Sequence, residues 1–248
     1  MNIQLQAGEP YGAINVSVPT EMEKDTRSII QHGIYRTDTT DLYDPACIVD
    51  AGACIGAYSL YAALKYPKAK IYAYEPIARN YTLLRGNTAM FPNIHAQAYA
   101  LDNYVGHARM WHGLNNPGEC SLYQGKEQSD TSERVEVRDI AEELSGMLKK
   151  HGKIGILKID TEGNETILVT RVLNMLTQID FVVFEFHHDD QRRSIDQLIG
   201  DTHLLYGGHV RCAHRGVLRY VRRMLWQTDS RAAAYDLAES AKSLSDPV

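Results

Sequence analysis

Three acids, Asp160, Glu162 and Glu165, end the apolar run of the segment GILKIDTEGNETIL. A buried carboxylate without a partner is costly, so acids at such a position either cap the next helix or take part in a reaction. If the apolar run is a strand, its period of two places Lys158 and Asp160 on one face, with Glu162 just past the strand end. This arrangement suits a carboxylate that takes a proton from a bound substrate.

His187, which follows the apolar segment FVVFEF, is a second candidate base, because an unperturbed imidazole titrates near neutral pH. Each group also has a structural alternative. Glu162 and Glu165 would favour the positive end of the next helix, and Asp160 would pair with Lys158. Paired acids could hold Mg²⁺ with a substrate diol, but acids that only cap a helix give the same pattern, so we predict no metal site. The predicted catalytic residues are Asp160, Glu162, His187 and Lys158.

A second candidate site lies in the segment CIVDAGACIGAYSL, which places Asp50, Gly52 and Gly56 where a buried strand turns into a helix. Ligands bind at such turns in doubly wound sheets, and glycine lets them approach the backbone closely. The segment lacks the dinucleotide fingerprint, because Cys54 and Ala57 occupy the second and third glycine positions, and it lacks a phosphate loop. We therefore expect a cofactor without a pyrophosphate.

The next strand, KIYAYEP, ends in Glu75 and Pro76. A carboxylate at this position can accept hydrogen bonds from a ribose diol, and Asp50 could receive the ammonium of an amino-acid group. A nucleoside that carries an amino acid, S-adenosylmethionine, satisfies both. Taken singly, a glycine turn or a strand-end glutamate can be purely structural.

The strings VDAGACIG, YEP with ARNYTLLRGN, YALDN, and LKIDTEGNE with FVVFEFH resemble the FkbM-type S-adenosylmethionine-dependent methyltransferases over roughly residues 45–223. The resemblance implies an α/β, Rossmann-like class I methyltransferase fold, whose mostly parallel seven-stranded sheet has an antiparallel last strand and helices on both faces. The family usually has Asn where this chain has Cys54. The cofactor-binding residues that follow from the resemblance are Asp50, Gly52, Ala53 and Gly56 around the methionine part, Glu75 and Pro76 at the ribose, and Ala100 and Leu101 against the adenine.

The elements that must position these residues follow from an alternating rhythm of apolar runs and helical patterns, which indicates a parallel sheet wrapped by helices. The predicted strands are 47–51, 70–74, 94–100, 154–160 and 181–186, and the predicted helices are 57–66, 77–90, 139–150 and roughly 163–177. The strand that ends at Asp160 should lie beside strand 47–51, which leads into the glycine turn of the predicted cofactor site. Residues 104–138 interrupt the rhythm and are predicted to be an insertion that carries substrate specificity.

The two ends are less regular. A Thr20–Glu23 capping box and Gly33 predict one helix within the lead-in, residues 1–44. HVRCAH and VLRYVRR flank Arg215-Gly216, which predicts a β-hairpin whose arginines form a solvent-facing edge or meet an acidic substrate or a second subunit. For the tail, 224–248, a helix is the only structure that the sequence suggests, and no functional residue is predicted there.

Composition sets the remaining expectations. The 248 residues predict a single domain, 1–248, and a net charge of −5 with 23% charged residues disfavours a nucleic-acid partner. Neither a long apolar run nor a secretory signal is present, so we expect a cytoplasmic protein without membrane attachment. Four cysteines without a C-x-x-C motif indicate reduced thiols.

Together these observations predict an S-adenosylmethionine-dependent methyltransferase, acting by O-methylation on a hydroxyl of a sugar or natural-product small molecule. Two alternatives remain open at this point. One is a catalytically silent protein that binds the cofactor as a scaffold, and the other is an NAD-dependent oxidoreductase, which the missing middle glycine weakens.

Overall fold

The computed structural model describes residues 1–8, 12–37, 43–125, 128–212 and 214–228. The chain begins with an antiparallel β-hairpin, β1 (Asn2–Gly8) and β2 (Gly12–Ser17), which the sequence had not indicated. A 3₁₀ helix (Thr20–Met22) then leads into α1 (Glu23–His32). The predicted capping box is wrong, because Met22 occupies the N-cap of α1 and its side chain makes no capping hydrogen bond. Gly33 ends α1 with a φ of 56°, as predicted.

Residues 47–97 form the first half of the main sheet. The elements are β3 (Cys47–Ala51), α2 (Ala57–Lys65), β4 (Lys70–Tyr74), α3 (Ala78–Asn87) and β5 (Ile94–Gln97). The predicted strand 94–100 is too long. Gln97 pairs with Tyr74, the last residue of β4, so β4 offers no partner beyond Gln97. Residues 100–102 pair instead with residues 137–139 in another sheet.

A separate sheet of three strands follows: β6 (Ala100–Asp102), β7 (Gly106–Gly113) and β8 (Gln128–Asp139). The predicted insertion, 104–138, supplies β7 and nearly all of β8, whereas β6 precedes it. Their order is β6-β8-β7, with β8 parallel to β6 and antiparallel to β7.

The second half of the main sheet follows. Its elements are α4 (Ile140–His151), β9 (Ile154–Ile159), α5 (Glu165–Arg171), a 3₁₀ helix (Leu173–Gln178), β10 (Ile179–Phe186), α6 (Asp189–Ile199), β11 (His203–Cys212), β12 (Arg215–Arg222) and α7 (Arg223–Thr228). The helix predicted over 163–177 is thus two shorter helices. Most of the tail, 229–248, lies outside the described residues.

The seven strands lie in the order β11-β12-β10-β9-β3-β4-β5. Neighbouring strands from β10 to β5 are parallel, and β12 runs antiparallel to both of its neighbours. This confirms the predicted fold class and its antiparallel last strand.

Alternate residues of the strands point to opposite faces of the sheet. Cys47, Val49 and Ala51 pack in one core with apolar residues of α4, α5 and α6. Ile48 packs in the other core with residues of α1, α2 and the first hairpin. Asp50 has the same parity as Ile48, so its carboxylate is directed toward the α2 side.

The described part of the chain contains no helix that is both long and apolar enough to cross a bilayer.

Candidate active site

A cleft opens at the carboxyl ends of β3, β4, β9 and β10, where parallel sheets of this type bind ligands. Its empty volume, including the open mouth, is about 950 Å³. Seven residues predicted from the sequence line it: Gly52, Glu75, Pro76, Ala100, Leu101, Asp160 and Glu162. The other five predicted residues occupy neighbouring positions on the same loops and strand ends: Asp50, Ala53, Gly56, Lys158 and His187.

The loop after β3 is held in shape by its backbone. Gly52 and Gly56 have φ angles of 77° and 90°, and Cys54 has a φ of 51°, all in the left-handed region. The amides of Gly52 and Ala53 both donate to the Tyr74 carbonyl. A Cβ on Gly52 would lie 1.7 Å from the Asp160 carbonyl oxygen, so this loop presses directly on the loop after β9.

Glu75 joins the glycine loop to the next strand. One carboxylate oxygen accepts from the Cys54 amide at 2.9 Å, and the other accepts from the Ile77 amide at 2.8 Å. Burial raises the pKa of Glu75 to about 7, although both amides and Lys158 oppose this shift. Each oxygen has a further lone pair, so Glu75 can also accept from a ligand in the cleft.

Lys158 lies behind the wall of the cleft, with 3% of its side chain exposed. Its Nζ is 3.1 Å from Asp50 Oδ1 and 3.5 Å from Asp160 Oδ2, and it donates to the Gly52 carbonyl at 2.7 Å. Burial disfavours the ammonium, but the two carboxylates outweigh this and raise the pKa of Lys158. Lys158 therefore supports the glycine loop and Asp160. Contact with a substrate would require Lys158 to leave these partners.

Asp50 is completely buried. Besides Lys158, it accepts a hydrogen bond from Ser59 Oγ at 2.6 Å. In this position Asp50 supports the glycine loop from behind, so a direct contact with a ligand ammonium stays a prediction.

Asp160 is placed by residues from distant parts of the chain. The Tyr35 hydroxyl, just after α1, lies 2.8 Å from Asp160 Oδ2 and 3.0 Å from Glu185 Oε2. Burial would raise the pKa of Asp160, but Lys158 and His187 hold it below its ordinary value. Burial, followed by the charges of Asp160 and Glu185, raises the pKa of Tyr35, which therefore stays a hydrogen-bond donor.

Arg215 enters the same cluster from β12. Its guanidinium lies 3.0 Å from Glu185, 3.4 Å from Glu162 and 3.5 Å from Glu119. The prediction of a solvent-facing arginine edge is wrong for Arg215, because it points into a cleft of carboxylates and is only 25% exposed.

The loop after β9 contains two further acids, Glu162 and Glu165. Burial, with Asp160 and Glu185, raises the pKa of Glu162 well above its ordinary value. Glu162 Oε2 is 3.5 Å from His187 Nδ1, and the Glu162 backbone has a φ of 58°. Glu165 is fully buried and accepts from the amides of Thr161 and Gly163, so it caps the loop.

Tyr35, Glu185, Arg215 and Glu119 were missed by sequence reasoning. One signal was available, since Glu185 interrupts the apolar strand FVVFEF and a buried acid needs partners. Nothing in the local pattern identifies the other three. The predicted specificity role of the 104–138 segment is consistent with the cleft, which Met110, Asn116, Gly118, Cys120 and Leu122 help to line.

The strand order, the glycine loop after β3 and the acid after β4 define a Rossmann-like methyltransferase fold. In its fold the chain is similar to the fibrillarin pre-rRNA processing protein of Methanococcus jannaschii. The TM-score is 0.50 at 9% identity, and the similarity covers 89% of this chain and 82% of that chain. This similarity shows the fold alone.

The chain belongs to the FkbM methyltransferase family, because the Methyltransferase FkbM domain matches residues 50–211. It is 32% identical over 157 residues to Methyltransferase sdnD of Sordaria araneosa, covering 52% of this chain and 61% of that protein. It is also 32% identical over 78 residues to the AMB antimetabolite synthetase AmbE of Pseudomonas aeruginosa, covering 32% of this chain and 4% of that protein. The chain thus spans less than two thirds of either relative.

Proposed function

We propose that this chain is an S-adenosylmethionine-dependent methyltransferase that methylates a hydroxyl group of a sugar or natural-product small molecule. The observation that carries the proposal is that one cleft brings together the glycine loop, Glu75 and the ionised Asp160. Membership of the FkbM methyltransferase family supports the reaction. The name of AmbE, an antimetabolite synthetase, supports a natural-product acceptor.

The residues present fit this cofactor. Glu75 can accept from a ribose diol, Ala100 and Leu101 offer an apolar surface for the adenine, and the loop at Gly52 would hold the methionine part. When bound, the cofactor would supply an activated methyl group.

The chain itself has two tasks, which are to align the acceptor and to take its proton. Asp160 is suited to both, because it lines the cleft and is ionised. Tyr35 and Lys158 fix one of its oxygens, so the carboxylate keeps a single orientation. Glu162 and His187 remain candidates for relaying the proton.

Thermal unfolding with S-adenosylmethionine, S-adenosylhomocysteine, NAD and ATP tests the cofactor. A ligand at about 100 times its Kd adds about 2.7 kcal/mol, which is roughly 5–10 °C for a chain of this size. We expect this shift with the two S-adenosyl ligands only. A shift with NAD alone would support the oxidoreductase instead.

The pKa of Glu75 makes this binding depend on pH. A ribose diol donates to the carboxylate, so binding below pH 7 must first displace a proton from Glu75. Affinity should therefore rise with pH up to about 7 and then level off, with a Kd about tenfold weaker at pH 6 than at pH 8. Calorimetry should show that Glu75→Gln binds more weakly and loses this pH dependence. An unchanged dependence in Glu75→Gln would remove Glu75 from the ribose site.

Asp160→Asn tests the catalytic role. We expect cofactor affinity to stay near its original value while turnover of a true acceptor falls by about 10²–10⁴-fold. Asp190→Asn, which changes an exposed acid at the start of α6, is the matched control and should leave turnover unchanged. Cofactor binding without turnover of any acceptor in the original protein would favour the scaffold alternative.

A further inference from the structure

We propose that Asp160, Glu185 and His187 form a binding site for a divalent transition-metal ion such as Mn²⁺. This departs from the expectation of no metal site drawn from the sequence. Binding of the ion does not depend on the proposed function, whereas its role does: it would hold the acceptor oxygen beside the methyl donor.

The three residues are brought together by neighbouring strands. Ile159 is paired with Phe184 in the parallel register of β9 and β10, so Asp160 and Glu185 are the next residues of the two strands. One potential ligand atom from each of Asp160, Glu185 and His187 lies within 4.8 Å of the others. Ligands at about 2.1 Å from one ion are about 3–4.2 Å apart, so the set needs only a small closure to coordinate it.

Two atoms of the set lack partners. Asp160 Oδ1 and His187 Nε2 are closed off from solvent and make no hydrogen bond to any described residue. His187 Nε2 lies 3.8 Å from Glu165 Oε1. Buried polar atoms without partners are uncommon and indicate a missing water or ion. A cation between Asp160 and His187 would satisfy both atoms.

The surrounding groups are arranged as in a metal site. His187 Nδ1 faces Glu162 Oε2 at 3.5 Å, and a carboxylate on the second ring nitrogen is the usual way to orient a metal-binding imidazole. Tyr35 and Arg215 hold oxygens of Asp160 and Glu185 in the same manner. Each of the three ligands is therefore fixed by a neighbour.

Charge also favours a cation. Lys158 and Arg215 contact five carboxyl groups between them, those of Asp50, Asp160, Glu119, Glu162 and Glu185. A bound cation would stabilise the ionised form of these acids, which burial and mutual repulsion disfavour. A mixture of imidazole and carboxylate ligands suits Mn²⁺, Fe²⁺ or Zn²⁺ better than Mg²⁺ or Ca²⁺.

Electron paramagnetic resonance with Mn²⁺ alone tests the site, because bound Mn²⁺ loses the signal of the free ion. Metal-stripped protein should bind one Mn²⁺. His187→Gln, Asp160→Asn and Glu185→Gln should each weaken the Kd by at least about tenfold. His209→Gln, which changes an exposed histidine of β11, is the control and should bind Mn²⁺ normally. Melting curves in EDTA confirm that each variant is folded.

Failure to bind Mn²⁺ in a single site, or equal binding by the three variants and the control, would overturn the proposal. Methyl transfer in EDTA separates this outcome from the proposed function. A protein that transfers methyl groups undiminished in EDTA and binds no Mn²⁺ would overturn the metal site only. A protein that binds one Mn²⁺ at these residues but no S-adenosyl ligand would support the metal site and overturn the proposed function.

Discussion

The two loops that meet at the floor of the cleft are built by different means. The loop from Gly52 to Gly56 is fixed mainly by backbone angles and by amide hydrogen bonds to the Tyr74 carbonyl of β4 and to the Glu75 carboxylate. The loop from Asp160 to Glu165 is fixed by charged side chains. Two of the side chains that hold its acids, the neutral Tyr35 and the charged Arg215, come from distant positions. A glycine pattern therefore reveals the first loop, whereas the second is defined only once the chain has folded.

The two loops are nevertheless one unit, because Gly52 lies against the Asp160 carbonyl and Lys158 donates to the Gly52 carbonyl. A change in either loop should be felt in the other. The character of each loop predicts what kind of change it tolerates. The backbone loop should be sensitive to added atoms, and the charged loop to an unbalanced charge.

The largest effect is expected from Gly52→Ala. The new Cβ would lie 1.7 Å from the Asp160 carbonyl oxygen, and alanine at a φ of 77° is strained in addition. We expect a loss of roughly 3–6 kcal/mol of unfolding free energy, measured by urea denaturation, together with loss of cofactor binding.

Gly146→Ala is the matched control for that change. Gly146 lies inside α4, and a Cβ there meets no atom within 4 Å. Alanine in a helix should add about 0.5–1 kcal/mol. If Gly52→Ala were as stable as Gly146→Ala, the first loop would not depend on a close backbone approach.

Lys158→Met should have the next largest effect, because it removes the cation and leaves Asp50 and Asp160 without it. Breaking a buried ion pair by removing one partner costs about 3–5 kcal/mol. Urea denaturation in EDTA should show this loss, and the double change Asp50→Asn with Lys158→Met should recover part of it.

Lys153→Met is the comparison for Lys158→Met. Lys153 also contacts a buried acid, Asp180, but its side chain is 49% exposed and Asp180 keeps Arg222 as a partner. A half-exposed pair of this type contributes at most about 1 kcal/mol. Equal losses from the two lysine changes would mean that the second loop does not depend on charge balance.

The same contrast between the two loops explains which features could be predicted from the sequence. The positions of Gly52, Glu75 and Asp160 at one edge of the sheet follow from patterns within short segments, because strand ends in a parallel sheet meet at one edge. The arrangement of the seven strands was expected only from the resemblance to the FkbM-type methyltransferases. Arg215 could not be placed, since the direction of its side chain depends on the pairing of β12 with β10. The end of β5 at Gln97 was also missed, because it is set by the length of its partner strand, β4.

The smallest effect, and the sharpest test of the backbone loop, is expected from Cys54→Asn. Cys54 has a φ of 51°, where L-residues are disfavoured and asparagine is several-fold enriched. Burial raises the pKa of the Cys54 thiol well above its ordinary value, so the change removes no charge. We expect the free energy of unfolding to rise by about 0.5–1 kcal/mol at pH 8 without ligand.

Cys212→Asn, at an exposed position of β11, is the control and should give no gain, because asparagine is depleted in strands. A gain at residue 54 alone would mean that backbone conformation limits the stability of the glycine loop, and that asparagine suits this position through its φ angle. A loss at residue 54 would mean that the packing of the thiol in the cleft outweighs the strain. The first loop would then depend on its side chains as the second one does, and the contrast between the two loops would not hold.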